Sequence, residues 1–327
     1  LGKNYHLNGK IEFEGEYING IKNGQGKEYN EENTIVFEGQ FLYGKRYGKG
    51  KEYNNKGILL FEGEYSNGER IGKGMEYYEG GNIKYEGEYS NGERNGKGIE
   101  YYENGNIKYE GLYSNGKRNI KGKEYYENGN LLYDGQFLNG IRHGNGKEYY
   151  IDSKLQFEGE YQNGTRWNGT LINYSCFDKS KIEDEYLEGK ITKTKKEYND
   201  DGKLIFKGEY MNGKRWNGKG IEYNVRDGLI FEGNYIDGRR LGKAKEFYEN
   251  GSLKFDGQYF DDEKFWSGKE YHKSGELIFE GVYLNDKRWD GKGIEYNEDN
   301  EFLFKGEYIN GKRSGKGKEY FENGLLK

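Results

Sequence analysis

Tyr85-Glu86-Gly87-Glu88-Tyr89-Ser90-Asn91-Gly92-Glu93-Arg94-Asn95-Gly96-Lys97-Gly98 is one statement of a sentence that the chain repeats from end to end. Ile83-Lys84 leads into Tyr85, and from Ile83 to Tyr89 apolar residues or glycine alternate with charged ones. That period of two marks a strand with one buried face. Asn91-Gly92 is the residue pair that accepts the positive φ angles of a two-residue hairpin turn. A second strand is expected over roughly 97–102, and Asn104-Gly105 supplies the next turn. No window shows a sustained helical period.

Working outward, units open at Phe13, Phe37, Phe61, Tyr85, Tyr109, Tyr133, Phe157, Ile182, Phe206, Phe231, Phe255, Phe279 and Phe304, at 24 or 25 residue spacing. A short fixed period means an array of stacked units. Numbering from the opening residue, aromatics occupy positions 5 and 17 in all thirteen units and position 1 in twelve, Ile182 being the exception. These three rows are the expected core. Glycine at position 3, again in twelve units, lies between the rings at 1 and 5, where a missing side chain lets a ring lie on the backbone. Glu at position 16 (twelve units) and Arg at position 10 (ten units) form charge rows. Rows of like charge two strands apart are separated by about 9.6 Å, near the screening length of about 8 Å at physiological salt. The rows are therefore expected to pair with each other or with turn carbonyls.

The fold class that follows is all-β: a single-layer antiparallel sheet of about 13 stacked hairpins, twisted into a half-pipe. At about 4.8 Å per strand such a sheet would be on the order of 125 Å long. The whole of 1–327 reads as one array, regular over 1–164, degenerate over 165–205, and regular with added tryptophan over 206–327. Both ends fall in mid-repeat, so the sequence is expected to be a segment of a longer protein. A third of the residues are charged, yet 52 basic and 57 acidic residues nearly cancel and the 55 aromatics keep fixed places. Those fixed places separate the chain from a disordered tail. Proline is absent and glycine numbers 55, so turns and close contacts are present without linkers.

The Tyr85 to Gly98 pattern, with its Arg142-His143-Gly144 variant, resembles the MORN repeat over essentially the whole chain. The added Tyr-Tyr-Glu-Asn-Gly turn is similar to the variant of that repeat found in bacterial proteins. The resemblance implies single-layer hairpin sheets that scaffold other proteins, dimerise through C-terminal repeats, or hold partner helices in a trough. Phospholipid binding is also implied for the family.

Two irregularities stand out. In unit eight Asp184 takes the glycine position, and Thr192-Lys193-Thr194 stands where Gly-Lys-Gly is expected, which predicts altered curvature near 165–195. All four tryptophans, Trp167, Trp216, Trp266 and Trp289, lie in the second half. Arg166-Trp167-Asn168-Gly169, Arg215-Trp216-Asn217-Gly218 and Arg288-Trp289-Asp290-Gly291 carry one residue more than the usual Arg-x-Gly. Each insertion is either a longer loop or a bulge. Each Trp either packs on the next repeat or joins an interaction edge. The candidate partner-binding set is Trp167, Trp216, Trp266, Trp289, Phe265, Arg215 and Arg288, since Trp and Arg are enriched where proteins bind one another.

Catalysis has little support: His6, His143 and His272 are far apart, and Cys176 has no local base. No Cys/His cluster or calcium loop suggests a metal, and no cofactor is expected. With a net charge of -5 the chain does not suit nucleic acid. Lys190, Lys193, Lys195 and Lys196 are the nearest approach to a lipid-binding cluster. The sequons at Asn163, Asn168 and Asn173 follow from composition. A lone cysteine suits a reducing compartment, so the expected setting is the cytoplasm, compatible with cytoskeletal or membrane association. The expectation is thus a non-enzymatic scaffold that binds a partner protein, a helical segment for instance, or a second copy. The alternatives are a membrane-apposed tether recognising phosphoinositides and the regulatory array of a longer enzyme.

Overall fold

In each unit of the repeat a strand of mostly eight residues, such as Ile83–Ser90, turns back into one of mostly nine, such as Glu93–Tyr101. Asn91 and Gly92 form the turn with φ of 50° and 80°, the two positive values of a type I′ hairpin. The returning strand starts at Glu93, four residues earlier than the alternation suggested, because so tight a turn leaves no loop. The computed structural model describes residues 1–177, 179–224, 228–296, 302–321 and 326–327. Among them all regular structure is β, in strands paired antiparallel.

The chain forms two compact units, one of Leu1–Leu171 with Tyr186–Lys190, the other of Ile172–Glu185 with Ile191–Lys327. In each, hairpins follow one another in a single layer with strands paired in chain order.

Register decides which residues share a face. Tyr85 pairs with Glu100, Gly87 with Gly98 and Tyr89 with Arg94. Since alternate residues point to opposite faces, positions 1, 3, 5, 10, 14 and 16 lie together, and positions 2, 4, 13, 15 and 17 lie on the reverse. The ring face is the core. Tyr85 meets Tyr89 edge to face at 5.6 Å and Tyr113 of the following repeat at 5.3 Å. The same zigzag joins successive repeats from Phe13 to Tyr186 in the first unit. It runs from Tyr210 and Phe206 to Tyr308 in the second. Such pairs contribute about 0.5–1.5 kcal/mol each beyond their burial. The position 1 ring lies across the small residues paired in its own hairpin, glycine with glycine in most repeats and Gly233 with Ala244 under Phe231: a Cβ on Gly87 or Gly98 would stand 2.3 or 2.2 Å from the Tyr85 hydroxyl.

The position 17 row belongs elsewhere. Tyr101 is only half-buried on the reverse face, where its hydroxyl donates to Glu86 at 2.6 Å. Tyr77 does the same to Glu62 at 2.8 Å. Aromatic character persisted at this position in the sequence because the ring packs beside the sheet while its hydroxyl reaches a carboxylate. The core therefore holds two rows of rings, and the third decorates the opposite surface.

Candidate interaction surfaces

On the ring face a layer of paired charges covers the aromatics. The Arg94 guanidinium sits 4.0 Å from the Tyr85 ring centre. It donates to Glu100 of its own repeat at 2.6 Å and to Glu76 of the preceding one at 2.6 Å. Arg142 bridges Glu124 and Glu148 in the same way at 2.8 and 2.9 Å. Burial disfavours the Glu76 carboxylate, but the hydrogen bond and charge of Arg94 outweigh it and hold the carboxyl below its usual range. Glu148 behaves likewise between Arg166 and Arg142. The two charge rows are thus internal cross-links between repeats, with their charge already used.

Arg215 and Arg288, named from the sequence as partner-binding candidates, belong to this layer. Arg215 lies 5.3 Å from the Phe206 ring and pairs with Glu197 at 2.8 Å. Arg288 lies 5.1 Å from the Phe279 ring and pairs with Glu270 at 2.8 Å.

The insertions resolve as bulges. In the ninth repeat Tyr210 pairs with Arg215 and Glu209 with Asn217, which leaves Trp216 as a single extra residue. A regular repeat instead skips two residues of the returning strand, as between Gln40↔Tyr47 and Gly39↔Gly50. The turn is unchanged, and the bulge aims each indole at the turn glycine of the following hairpin. A Cβ on Gly189 or Gly311 would stand 3.4 or 3.3 Å from the ring of Trp167 or Trp289, and one on Gly238 would stand 3.8 Å from Trp216. The next residue completes the link. Asn168, Asn217 and Asp290 each accept from the backbone N–H of the following turn, at Glu188 (3.0 Å), Asp237 (3.1 Å) and Asn310 (2.8 Å). Arg-Trp-Asn/Asp-Gly therefore staples consecutive hairpin turns, and Trp167, Trp216 and Trp289 pack inward on the next repeat.

Trp266 differs. Its repeat keeps the 24-residue spacing, so it occupies the slot that glycine fills at Gly24, Gly48, Gly72, Gly96, Gly144, Gly242 and Gly315. The slot has positive φ, 83° at Gly96 and 61° at Trp266. Trp266 is 54% exposed and lies 5.5 Å from Phe265 and 6.1 Å from Phe260, itself 48% exposed. Of the candidate residues the structure thus brings Phe265 and Trp266 together with Phe260, which the sequence reading missed. The available signal was Phe-Trp standing in the x-Gly slots without an insertion.

Unit eight replaces its glycine pair with charges. Asp184, only 4% exposed, receives Lys195 at 2.5 Å and the Asn173 amide at 2.7 Å. With Ile182 at position 1 no ring has to cross this hairpin, so long side chains fit where other repeats hold glycine or, at Ala244, alanine. Lys195 is thereby removed from the small basic cluster.

The reverse face of the first unit carries a groove of about 1320 Å³. Its floor is the backbone of the paired glycines, from Gly15 and Gly26 to Gly87 and Gly98. Two rails flank it. Positions 2 and 15 form one, such as Glu62 with Met75 and Glu86 with Ile99; positions 4 and 13 form the other, such as Glu64 with Lys73 and Glu88 with Lys97. Lysines and glutamates interleave along both, and some pair directly, as Lys27 with Glu38 at 3.4 Å. Among the described residues no group of three or more His, Cys, Asp or Glu is placed to hold a metal. No helix there is long and apolar enough to cross a membrane.

A layer of identical hairpins, each bonded to the next through rings, charges and turns, defines a tandem β-hairpin repeat protein. The MORN repeat model matches residues 13–31, 37–58, 85–107, 133–154 and 304–325, and the MORN repeat variant matches 1–19, 70–91, 118–139 and 240–261. Together these cover more than half of the sequence, and the chain belongs to the MORN-repeat family. No curated protein matches. Among solved structures, a crystal structure of TcdB2-TccC3-TEV aligns with 98% of this chain and 20% of its own at 9% identity and a TM-score of 0.22. A Photorhabdus luminescens Tc holotoxin pore carrying TccC3-D651A aligns with 99% and 18% at 11% identity and a TM-score of 0.17. The chain spans about a fifth of the length of these solved chains.

Proposed function

We propose that the chain is a non-enzymatic scaffold that holds a segment of a partner protein along the glycine-floored groove of its first unit. MORN repeats are a repeat scaffold associated with protein interaction or with membranes. The observation that carries the choice between the two is the groove. Its floor is exposed backbone and its rails mix Lys49, Lys73 and Lys97 with Glu62, Glu64 and Glu88. A phosphate-bearing ligand calls for concentrated positive charge, whereas a polypeptide of mixed charge matches interleaved rails. The ring-face charges, already paired, are a poor competitor for that role. The cytoplasm is the proposed setting, in keeping with an exposed and unpaired Cys176.

The experiment selects peptides from a displayed 12-residue library on the immobilised chain and measures their affinity for Met75→Trp/Ile99→Trp, which fills one rail. Selected peptides should bind the variant about tenfold more weakly or worse. Unchanged affinity would remove the groove from the proposal. Capture of phosphoinositide vesicles without peptide binding would favour a membrane tether, and a dimer abolished by the variant would make the occupant a second copy.

A further inference from the structure

The second unit carries an aromatic cluster in which Phe260 and Trp266 are exposed and Phe265 is half-buried beside them. Phe260, Phe265 and Trp266 lie with ring centres 5.5 to 6.1 Å apart. Phe260 pairs in register with Glu263, so a carboxylate shares the face of the exposed ring. The turn between them is Asp261-Asp262 in place of Asn-Gly. Asp261 pairs with Arg239, and Asp262 accepts from the Arg240 backbone N–H at 2.7 Å. Asp286 of the next turn accepts from the Lys264 N–H at 2.9 Å. Asp261 is thus neutralised, and Arg239 and Lys287 hold the places equivalent to Glu263 in the flanking hairpins. Among the described residues, the carboxylates beside the rings that enter no ion pair are Asp262, Glu263 and Asp286.

The backbone explains why the indole faces outward. Trp266 holds φ of 61° in a slot where glycine is the residue without cost. Ile120 is the internal control: it stands in the equivalent slot at φ of 62° and is 63% exposed. Its turn, however, is Asn115-Gly116, its chain neighbours are Asn119 and Lys121, and its cross-strand partner Phe137 is buried in the core, so no exposed ring or acidic turn accompanies it.

The chain shows what rings and carboxylates together do in this protein. Arg240 lies 4.0 Å from the Phe231 ring and pairs with Glu222 at 2.7 Å. Lys264 lies 4.5 Å from the Phe255 ring and pairs with Glu246 at 2.9 Å. In both, a cation is held by an aromatic face and a carboxylate at once, attractions that reinforce each other. We infer that Phe260, Phe265 and Trp266, with Glu263 and the acidic turn, form a docking site for a lysine- or arginine-bearing segment of a partner protein. The net charge of -5 favours the encounter at long range. This site lies outside the groove and stands or falls separately from it.

Pentalysine is the probe, with pentaglutamate as its opposite, and affinity for the full chain is read from tryptophan fluorescence and calorimetry. Trp266→Gly restores the residue of the regular repeat, so its melting temperature should equal or exceed that of the parent. Its affinity for pentalysine should fall about fivefold or more. Phe260→Ser, at an exposed position, should weaken pentalysine in the same way. Met75→Trp/Ile99→Trp should leave pentalysine binding unchanged. Equal affinity in parent, Trp266→Gly and Phe260→Ser would overturn the inference, as would a preference for pentaglutamate. So would a dimer that Trp266→Gly dissolves while pentalysine binding is unaltered, since the cluster would then serve a second copy.

Discussion

Gly87 and Gly98 are set by Tyr85, which lies across both. Gly87→Ala must displace that ring or the backbone of the neighbouring strand and is expected to cost about 3 kcal/mol, the upper range of overpacking, in urea denaturation. Gly105→Ala, at φ of 86° with nothing within 4 Å, should cost about 1 kcal/mol from backbone conformation alone. Tyr101 offers a second contrast. Because it lies half-buried on the reverse face and donates to Glu86, Tyr101→Phe should cost about 1 kcal/mol or less. Tyr85→Ala, in the core, should cost about 3–5 kcal/mol.

Titration belongs to the same scale. Glu76 and Glu148, with folded pKa values lowered chiefly by arginine against the opposing effect of burial, contribute stability present above their unfolded pKa. That contribution is lost as pH falls through the folded value. Tyr101 and Tyr77 run the other way: burial, then the hydrogen bond to Glu86 or Glu62, pushes each up to about 12. Their contribution is present below about pH 10 and is lost as pH rises toward 12. Urea midpoints should therefore form a plateau that falls below about pH 4.5 and again above about pH 10. A flat acid limb in the parent would contradict the assigned role of the arginine row.

At the scale of the hairpin, the bulge decides what an inserted residue does. Trp216 and Asn217 tie one turn to the next through the indole over Gly238 and the amide oxygen on the Asp237 N–H. Trp216→Ala/Asn217→Ala should accelerate hydrogen exchange at Asp237 and Gly238 and leave the Asn91-Gly92 turn at its parental rate. Equal acceleration at both turns would mean that the pair acts on global stability rather than on its own staple. Removing a hydrogen-bonded cap of this kind costs about 1 kcal/mol, which the same samples would show in their denaturation midpoints.

At the scale of the molecule, each compact unit has its own chain of stacked rings, one from Phe13 to Tyr186 and one from Phe206 to Tyr308. Stability in a repeat array passes between neighbours in contact. Scanning calorimetry is thus expected to show two transitions. Phe61→Ala should lower one of them and Phe255→Ala the other. A single transition lowered equally by both substitutions would show that the array melts as one body.

The all-β hairpin array, its period, its turns and two of its ring rows were legible in the sequence. Alternation and Asn-Gly pairs act between near neighbours, and a pattern stated thirteen times averages out local exceptions. Sequence also located the degenerate eighth repeat and the insertions before Gly169, Gly218 and Gly291. It did not reveal which face each row joins, because that depends on pairing: the two-residue turn sets position 5 opposite 10 and position 1 opposite 16, which sends position 17 to the reverse face, and only the one-residue bulge of the inserted repeats shifts that phase. Tyr101 was therefore counted with the core. The tryptophans were treated as one set for the same reason. Only the backbone path shows that an insertion turns Trp167, Trp216 and Trp289 onto the next hairpin, while Trp266, without one, is held outward at positive φ beside Phe260 and Phe265. Local chemistry thus determined the repeat. Register, a property of strands brought together in space, decided which of its side chains are cross-links and which remain exposed.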